Sequence, residues 1–249
     1  MCRLVPLSLF VVVSFAAVSP SPLRAADPSD ATAVVKKGIE FLGGEKKLKS
    51  FKAATYSDKG TYYGMGDGLP YTGKFAVLWP DKFRMEIVGI FTSVVDGKTG
   101  WTSMQGMVKE MSKKEVAAAE QGHYESLVTQ LHPLLDGKTF KLSLDGKATV
   151  GKTKAVVVKV SRKDRPDVRL FFNPATGELV KSETMAIPED LSDKRVKQES
   201  FYSDYKTAKG IKYPSKFLIL RGGKKYIEST ITAYTPLETL PAKTFAKPK

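Results

Sequence analysis

The stretch GKFAVLWPDKFRMEI, Gly73 to Ile87, decides how this chain folds. Phe75, Val77 and Trp79 occupy every second position before Pro80, and Phe83, Met85 and Ile87 do so after it. Successive side chains of a strand point to opposite faces, so each run presents one bulky apolar face. Arg84 and Glu86 fall on the other face of the second run. Pro80-Asp81 breaks the pattern between them. The segment therefore predicts two antiparallel strands of a sheet with one apolar face.

The same signal continues on both sides. KAATYSDKGTYYG (52–64) precedes it, and IFTSVVDG and KTGWTSMQGMVKEM (90–111) follow, with Gln105-Gly106 at a bend. Nearer the C-terminus, DVRLFFN and LVKSETMA flank the turn PATGE, and RVKQESFYSDYK, IKYPSKFLIL and KKYIESTITAY form a meander. Lys209-Gly210 is the hairpin turn in DYKTAKGIKYPSK, and Pro214, lacking an amide donor, belongs near a strand end or an outer edge. KTFKLSL and KATVGKTKAVVVKVS flank Asp145-Gly146, which is expected to be a two-residue hairpin turn.

Two islands are helical. Ser29 or Asp30 can cap a helix carrying Val34, Val35, Ile39 and Leu42, which Gly43-Gly44 ends; EKKLKSF adds a short further turn. Ser112-x-x-Glu115 is a capping box opening a second helix, in which Gly122 is expected to loosen or kink the backbone. Strands far outnumber helices and all connections are short. The fold class is mainly β with a helical lid (α+β): a single, strongly curved antiparallel sheet, barrel-like, spanning residues 27–249.

Residues 1–26 read as a secretory signal peptide: Arg3, an apolar stretch from Leu4 to Val18, then small residues ending at Ala25-Ala26. The sole cysteine, Cys2, lies in that leader, so the mature chain has no disulfide and no thiol chemistry. Export without disulfides predicts a periplasmic or cell-envelope protein. The formal net charge is +14, with lysines spread along the whole chain. Spread charge reads as a solvated surface first and as attraction to anionic surfaces second. Nucleic acid is not an expected partner.

Catalytic and cofactor signatures are weak. GKATVGKT, Gly146 to Thr153, matches the phosphate-loop spacing, but that chemistry needs a helix after the glycines, and KAVVVKVS predicts a strand. His123 and His132 are nine residues apart without a ligand-spaced partner. Carboxylate pairs such as Glu183 with Glu189-Asp190 occur, as they do in most loops. No catalytic residue, metal site or cofactor is assigned. What remains is a bulky apolar face, which is either a filled core or a cavity for an acyl chain; composition alone favours the core.

The residues that carry a family likeness are Pro80, Phe83-Arg84, Asp96-Gly97-Lys98-Thr99 and Trp101, within GKFAVLWPDKFRMEI and TSVVDGKTGWTSM. With DYKTAKGIKYPSK and the closing FAKPK, this order and spacing resembles the LolA-like periplasmic lipoprotein-carrier family and the wider outer-membrane lipoprotein-sorting group. The likeness runs from about Ala31 to the end. It implies a half-open antiparallel β-barrel with helices as a lid over an apolar cavity that holds lipid or lipoprotein acyl chains. The carriers often place an arginine before the strand-turn proline to hold the lid. This chain has Trp79 there.

The expected cavity wall is Phe75, Val77, Trp79, Phe83, Met85, Ile87, Trp101, Phe217 and Ile219, with Val116, Leu127 and Leu131 as lid contacts. Expected partners are lipid or lipoprotein acyl chains and membrane-associated export or acceptor proteins, met by a monomer. The competing expectations are an envelope sensor or scaffold that binds a protein, and an envelope hydrolase.

Overall fold

The computed structural model describes residues 30–188, 192 and 194–248. The expected leader, 1–26, lies outside them, as do Glu189 and Asp190. Two helices come first, α1 (Ala31–Leu42) and α2 (Glu45–Ser50). Six strands follow: β1 (Ala53–Tyr62), β2 (Leu69–Leu78), β3 (Lys82–Ile87), β4 (Phe91–Asp96), β5 (Thr99–Met104) and β6 (Met107–Glu110). Helix α3 (Lys113–Thr129) and a 3-10 turn (His132–Leu135) lead to β7 (Lys141–Val150), β8 (Thr153–Ser161), β9 (Val168–Phe172) and β10 (Leu179–Ala186). The last strands are β11 (Val196–Ala208), β12 (Ile211–Arg221) and β13 (Lys224–Leu237).

All thirteen described strands form one antiparallel sheet in the order β6-β5-β4-β3-β2-β1-β13-β12-β11-β10-β9-β8-β7. It is a meander with one long-range junction: β1 pairs with β13, from Ala53 opposite Leu237 to Tyr62 opposite Ile227. The two edges, β6 and β7, are not paired with each other, so the barrel is open between them. Helix α3 connects these edges and touches β4, β5 and β10. In a flat sheet β5 and β10 would stand about 38 Å apart, at about 4.8 Å per strand. A 17-residue helix is only about 25 Å long, so the sheet curls around it.

Local chemistry explains the helix ends. The Asp30 side chain caps α1 by accepting from the Thr32 amide at 2.8 Å. Ser112 and Glu115 form the reciprocal capping box of α3. Helix α3 runs unbroken through Gly122. Gly38 lets α1 approach the sheet: a Cβ there would sit 2.8 Å from Leu131 Cδ1 and 2.8 Å from Phe172 Cε1.

The Asp145-Gly146 expectation is corrected. Strand β7 runs straight through both residues, which form a bulge between Leu144 and Lys147. The turn to β8 is Gly151-Lys152 instead. Gly146 has a φ of 83°, and a bulge and a tight hairpin both favour glycine there. A strand, β8, does follow the phosphate-loop match.

The sheet parts on one side of its middle. Strand β12 pairs with β11 along its length, down to Ile211 opposite Ala208, but pairs with β13 only from Lys216 to Arg221. Pro214 falls in the stretch of β12 that β13 has left, where a missing amide donor is tolerated. The gap is bridged by Lys209 Nζ on the Pro236 carbonyl at 3.1 Å and by the stacked rings of Tyr213 and Tyr234. The end of α1 sits against the same place, beside the Gly210 carbonyl.

Candidate functional site

Strand pairing fixes which side chains share the concave face, because directly opposed residues point the same way. Phe75 lies opposite Met85 and Tyr56, and Val77 lies opposite Phe83 and Ala54. Phe83 stands 6.0 Å, ring to ring, from His123 of α3, which identifies this face as the concave one. Phe217 and Ile219 share a face with Tyr202 and Ser200 of β11, which face α3. Phe75, Phe83, Met85, Ile87, Phe217 and Ile219 are thus brought onto one concave surface.

Trp101 is not, and its placement is a correction. It lies opposite Val94, which lies opposite Arg84, so all three occupy the convex face. There Trp101 is buried with Val94 and Phe245, and its Nε1 donates to the Phe245 carbonyl at 3.1 Å. Its large ring anchors the C-terminal segment instead of lining the interior.

The concave face has two unlike halves. Over β8–β10 it is closed: Val35 and Ile39 of α1 and Val128 and Leu131 pack without exposure against Val158, Val160, Leu170 and Phe172. Leu127 and Trp79 belong to the same packed body, and Val116 of α3 is buried. Val77 is buried as well. Over β1–β3 and β12–β13 the face is different. Phe75, Phe83, Met85, Ile87, Phe217, Ile219 and Ile227 are only half-buried. Helices α1 and α3 rest mainly on β4, β5, β7, β8 and β10, and α1 also meets β12 at its Ile211 end, away from Phe217 and Ile219. A strip of large apolar side chains on the inside of the sheet therefore stays partly open.

Polar groups are set into this surface. Glu125 of α3 is buried, and its carboxylate accepts from Ser182 Oγ at 2.7 Å, Gln198 Nε2 at 2.7 Å and Ser200 Oγ at 3.1 Å. Burial raises the Glu125 pKa, opposed by those three hydrogen bonds and by the charge of Arg221. Arg221 Nε in turn donates to Gln198 Oε1 at 2.9 Å. Gln121, one turn earlier, donates to the Met185 carbonyl and accepts from Arg195. Helix α3 is therefore held to β10 and β11 by a polar seam. Trp79, before the strand-turn Pro80, packs into the core with its Nε1 unpartnered.

A second buried acid, Asp58, also faces inward, opposite Gly73 and Ile231. Tyr71 donates to its Oδ2 at 3.0 Å. Burial raises its pKa, against hydrogen bonds from Tyr71, Ser229 and the Gly73 backbone. His123 is buried beside Phe83, and burial holds its pKa below the ordinary value.

The sequence reading missed Glu125 and its partners. A signal was present: Gln198, Ser200 and Tyr202 alternate in KQESFYSDY, which places a polar stripe on one face of β11. Glu183, by contrast, sits on the convex face in an ion network with Lys181, Arg169 and Lys197, so it offers no acid–base pair to the interior.

Among the described residues, surface cavities beside the barrel include two of note. One, of about 320 Å³, lies between the first half of α3 and the β8–β9 loop and is lined by Lys98, Glu120, Gln121, Arg165 and Arg195. The other is an open depression of about 900 Å³ at the α1–α2 corner. Neither touches the apolar strip.

Comparison with known proteins gives the fold its relatives. No protein-family model matches the sequence. No curated protein matches it either. Solved structures do. A LolA superfamily protein from Nitrosomonas europaea superposes with a TM-score of 0.57 at 13% identity, covering 87% of this chain and 97% of its own. A DUF1329 family protein from Desulfovibrio piger gives 0.59 at 9% identity, covering 87% and 97%. A domain described as an outer membrane lipoprotein-sorting protein, from Vibrio parahaemolyticus, gives 0.57 at 10% identity, covering 86% and 95%. At such identities the likeness speaks for architecture alone, and that architecture is a LolA-like half-open β-barrel.

Proposed function

We propose that this chain is an exported, non-enzymatic carrier that reversibly holds lipid or lipoprotein acyl chains against the inside of its sheet. One observation carries the reading: Phe75, Phe83, Met85, Ile87, Phe217 and Ile219 face inward yet stay half-buried. A filled core would bury such side chains completely, as the β8–β10 half does. An acyl chain laid on the strip gains about 25 cal/mol per Å² of apolar surface removed from water, or about 0.8 kcal/mol per methylene. No catalytic group is required for that.

The periplasm or cell envelope is the place that suits such a carrier. The sequence of residues 1–26, read as an export leader, supports it, as does the presence of a lipoprotein-sorting domain among the structures of like fold. Among the described residues no helix is long and apolar enough to cross a membrane.

Native mass spectrometry of protein purified without detergent tests the reading. Lipid adducts are expected, together with saturable uptake of a fluorescent fatty acid. Adduct-free protein that ignores the fatty acid would sink it.

The packed half of the barrel favours a second reading, an envelope sensor or scaffold that binds a protein partner. A salt-sensitive pull-down from an envelope extract, combined with no fatty-acid uptake, would select it.

A further inference from the structure

We propose that the hairpin tips at one end of β1–β6 form a docking rim for an anionic lipid bilayer. Antiparallel pairing puts the β1–β2, β3–β4 and β5–β6 turns at the same end of six neighbouring strands. Turns are ordinarily built from Gly, Asn, Asp, Ser and Pro. These turns and the strand ends that flank them carry Met65 and Leu69, Val88 and Ile90, and Met104 and Met107, all large, apolar and exposed. Met65 is 73% exposed, Met107 72% and Ile90 54%, so they contribute almost nothing to the core.

The tips also stand clear of the rest of the molecule. A Cβ placed on Gly66, Gly89 or Gly106, one glycine in each turn, would meet nothing within 4 Å. Neighbouring hairpins lie about 10 Å apart, two strand spacings. A folded protein partner needs a continuous patch with a packed centre. Three separate apolar prongs suit a deformable medium, into which each can sink independently.

Charge selects the kind of bilayer. The chain has a formal net charge of +14. Beside the rim, Lys59 and Lys224 are exposed and have no ion-pair partner among the described residues, and Lys109 is held only by a 3.8 Å contact with Glu115. The three turn segments 63–68, 88–90 and 105–106 hold Asp67 and no lysine or arginine, and behind them Glu86, Glu110 and Glu228 are ion-paired with Arg84, Lys247 and Lys225. Cations flanking apolar tips match anionic headgroups around an acyl layer.

The rim is continuous with the interior. Met104 lies opposite Phe91, and Phe91 lies opposite Ile87 on the half-buried concave strip. Hydrocarbon leaving the bilayer at the tips would reach the strip without crossing a polar stretch. The docking proposal itself stands on the rim and not on acyl binding.

Vesicle flotation tests it. The full mature chain is mixed with phosphatidylglycerol–phosphatidylethanolamine vesicles, or with phosphatidylcholine vesicles as the neutral control. The wild-type protein is expected to float with the anionic vesicles and far less with the neutral ones. A Met65→Ser, Ile90→Ser, Met107→Ser variant is expected to bind about tenfold more weakly with an unchanged melting temperature. A Lys59→Glu, Lys109→Glu, Lys224→Glu variant, intact at the tips, is expected to lose the preference for anionic vesicles. Wild-type protein that stays in solution, or tip and lysine variants that float like it, would overturn the proposal. So would ultracentrifugation showing that the tips instead join two copies of the chain. Fatty-acid uptake in vesicle-free buffer is measured in parallel: flotation without uptake keeps the rim and removes the carrier reading.

Discussion

The Ser182 hydroxyl donates to the Glu125 carboxylate at 2.7 Å, joining the middle of α3 to the inside of β10. Because burial raises the Glu125 pKa above its ordinary 4.5, the folded state favours the protonated acid. That contribution to stability is complete below the unfolded pKa and is lost as pH rises through the folded one. Glu125→Gln removes the titration. The variant should gain stability relative to wild type as pH rises from about 4 to about 7. Urea denaturation at several pH values checks this; a gap that does not change with pH would contradict it. Asp58 titrates in both proteins and cancels.

Ion pairing on the convex face should show the opposite trend. Burial alone would raise Glu183, but the hydrogen bond and charge of Lys181, with Lys197 and Arg169, hold it below its ordinary value. Glu199 is lowered first by its hydrogen bond to Lys181. Such stability is present at neutral pH and is lost as pH falls. Lys181→Met should cost about 3 kcal/mol at pH 7 and clearly less at pH 3, by the same denaturation assay.

Met85 and Trp101 separate wall from anchor. Met85→Gln places an amide on the open strip and should weaken fatty-acid uptake about tenfold while moving stability by less than about 1 kcal/mol. Trp101→Ala should do the reverse. It removes a buried ring and the hydrogen bond to the Phe245 carbonyl, at a cost of about 3–5 kcal/mol. Uptake, measured where the variant remains folded, should be unchanged. Equal effects on uptake from both substitutions would contradict the assignment of faces.

Gly38→Val should destabilise more than most single changes. The added Cβ would meet Leu131 and Phe172 at 2.8 Å each, and neither can retreat within a packed body. A loss of about 2–3 kcal/mol is expected from overpacking. A thermal melt reports it.

Much of this architecture was legible in short-range pattern. The every-second-residue apolar runs at Phe75–Val77 and Phe83–Ile87 became β2 and β3 with one inward face, and Trp79 falls one residue past the end of β2. The Ser112–Glu115 box opened α3, and Lys209-Gly210, both at positive φ, made the β11–β12 turn. Trp101 was not legible by size and aromaticity alone. Its face depends on counting through the Gly97-Lys98 turn, which pairs it with Val94 instead of Val95. Asp145-Gly146 misled because a bulge and a hairpin ask for the same backbone, and only the register beyond it distinguishes them. Glu125 was hidden because a carboxylate on a covering helix is expected to face water. Here the second half of α3 is enclosed, and the partners of Glu125 lie 57 to 75 residues away in sequence.

The junction of β1 with β13 has a kinetic consequence. Until Lys224–Leu237 is in place, β1 and β12 each lack a neighbour, and the earlier strands exist as two separate ribbons with bare flanks. Contacts this remote in sequence slow assembly, and naked strand borders recruit other chains. Truncation before β13 should therefore yield insoluble material, and the intact polypeptide should commit to its native shape only once nearly all of it has emerged.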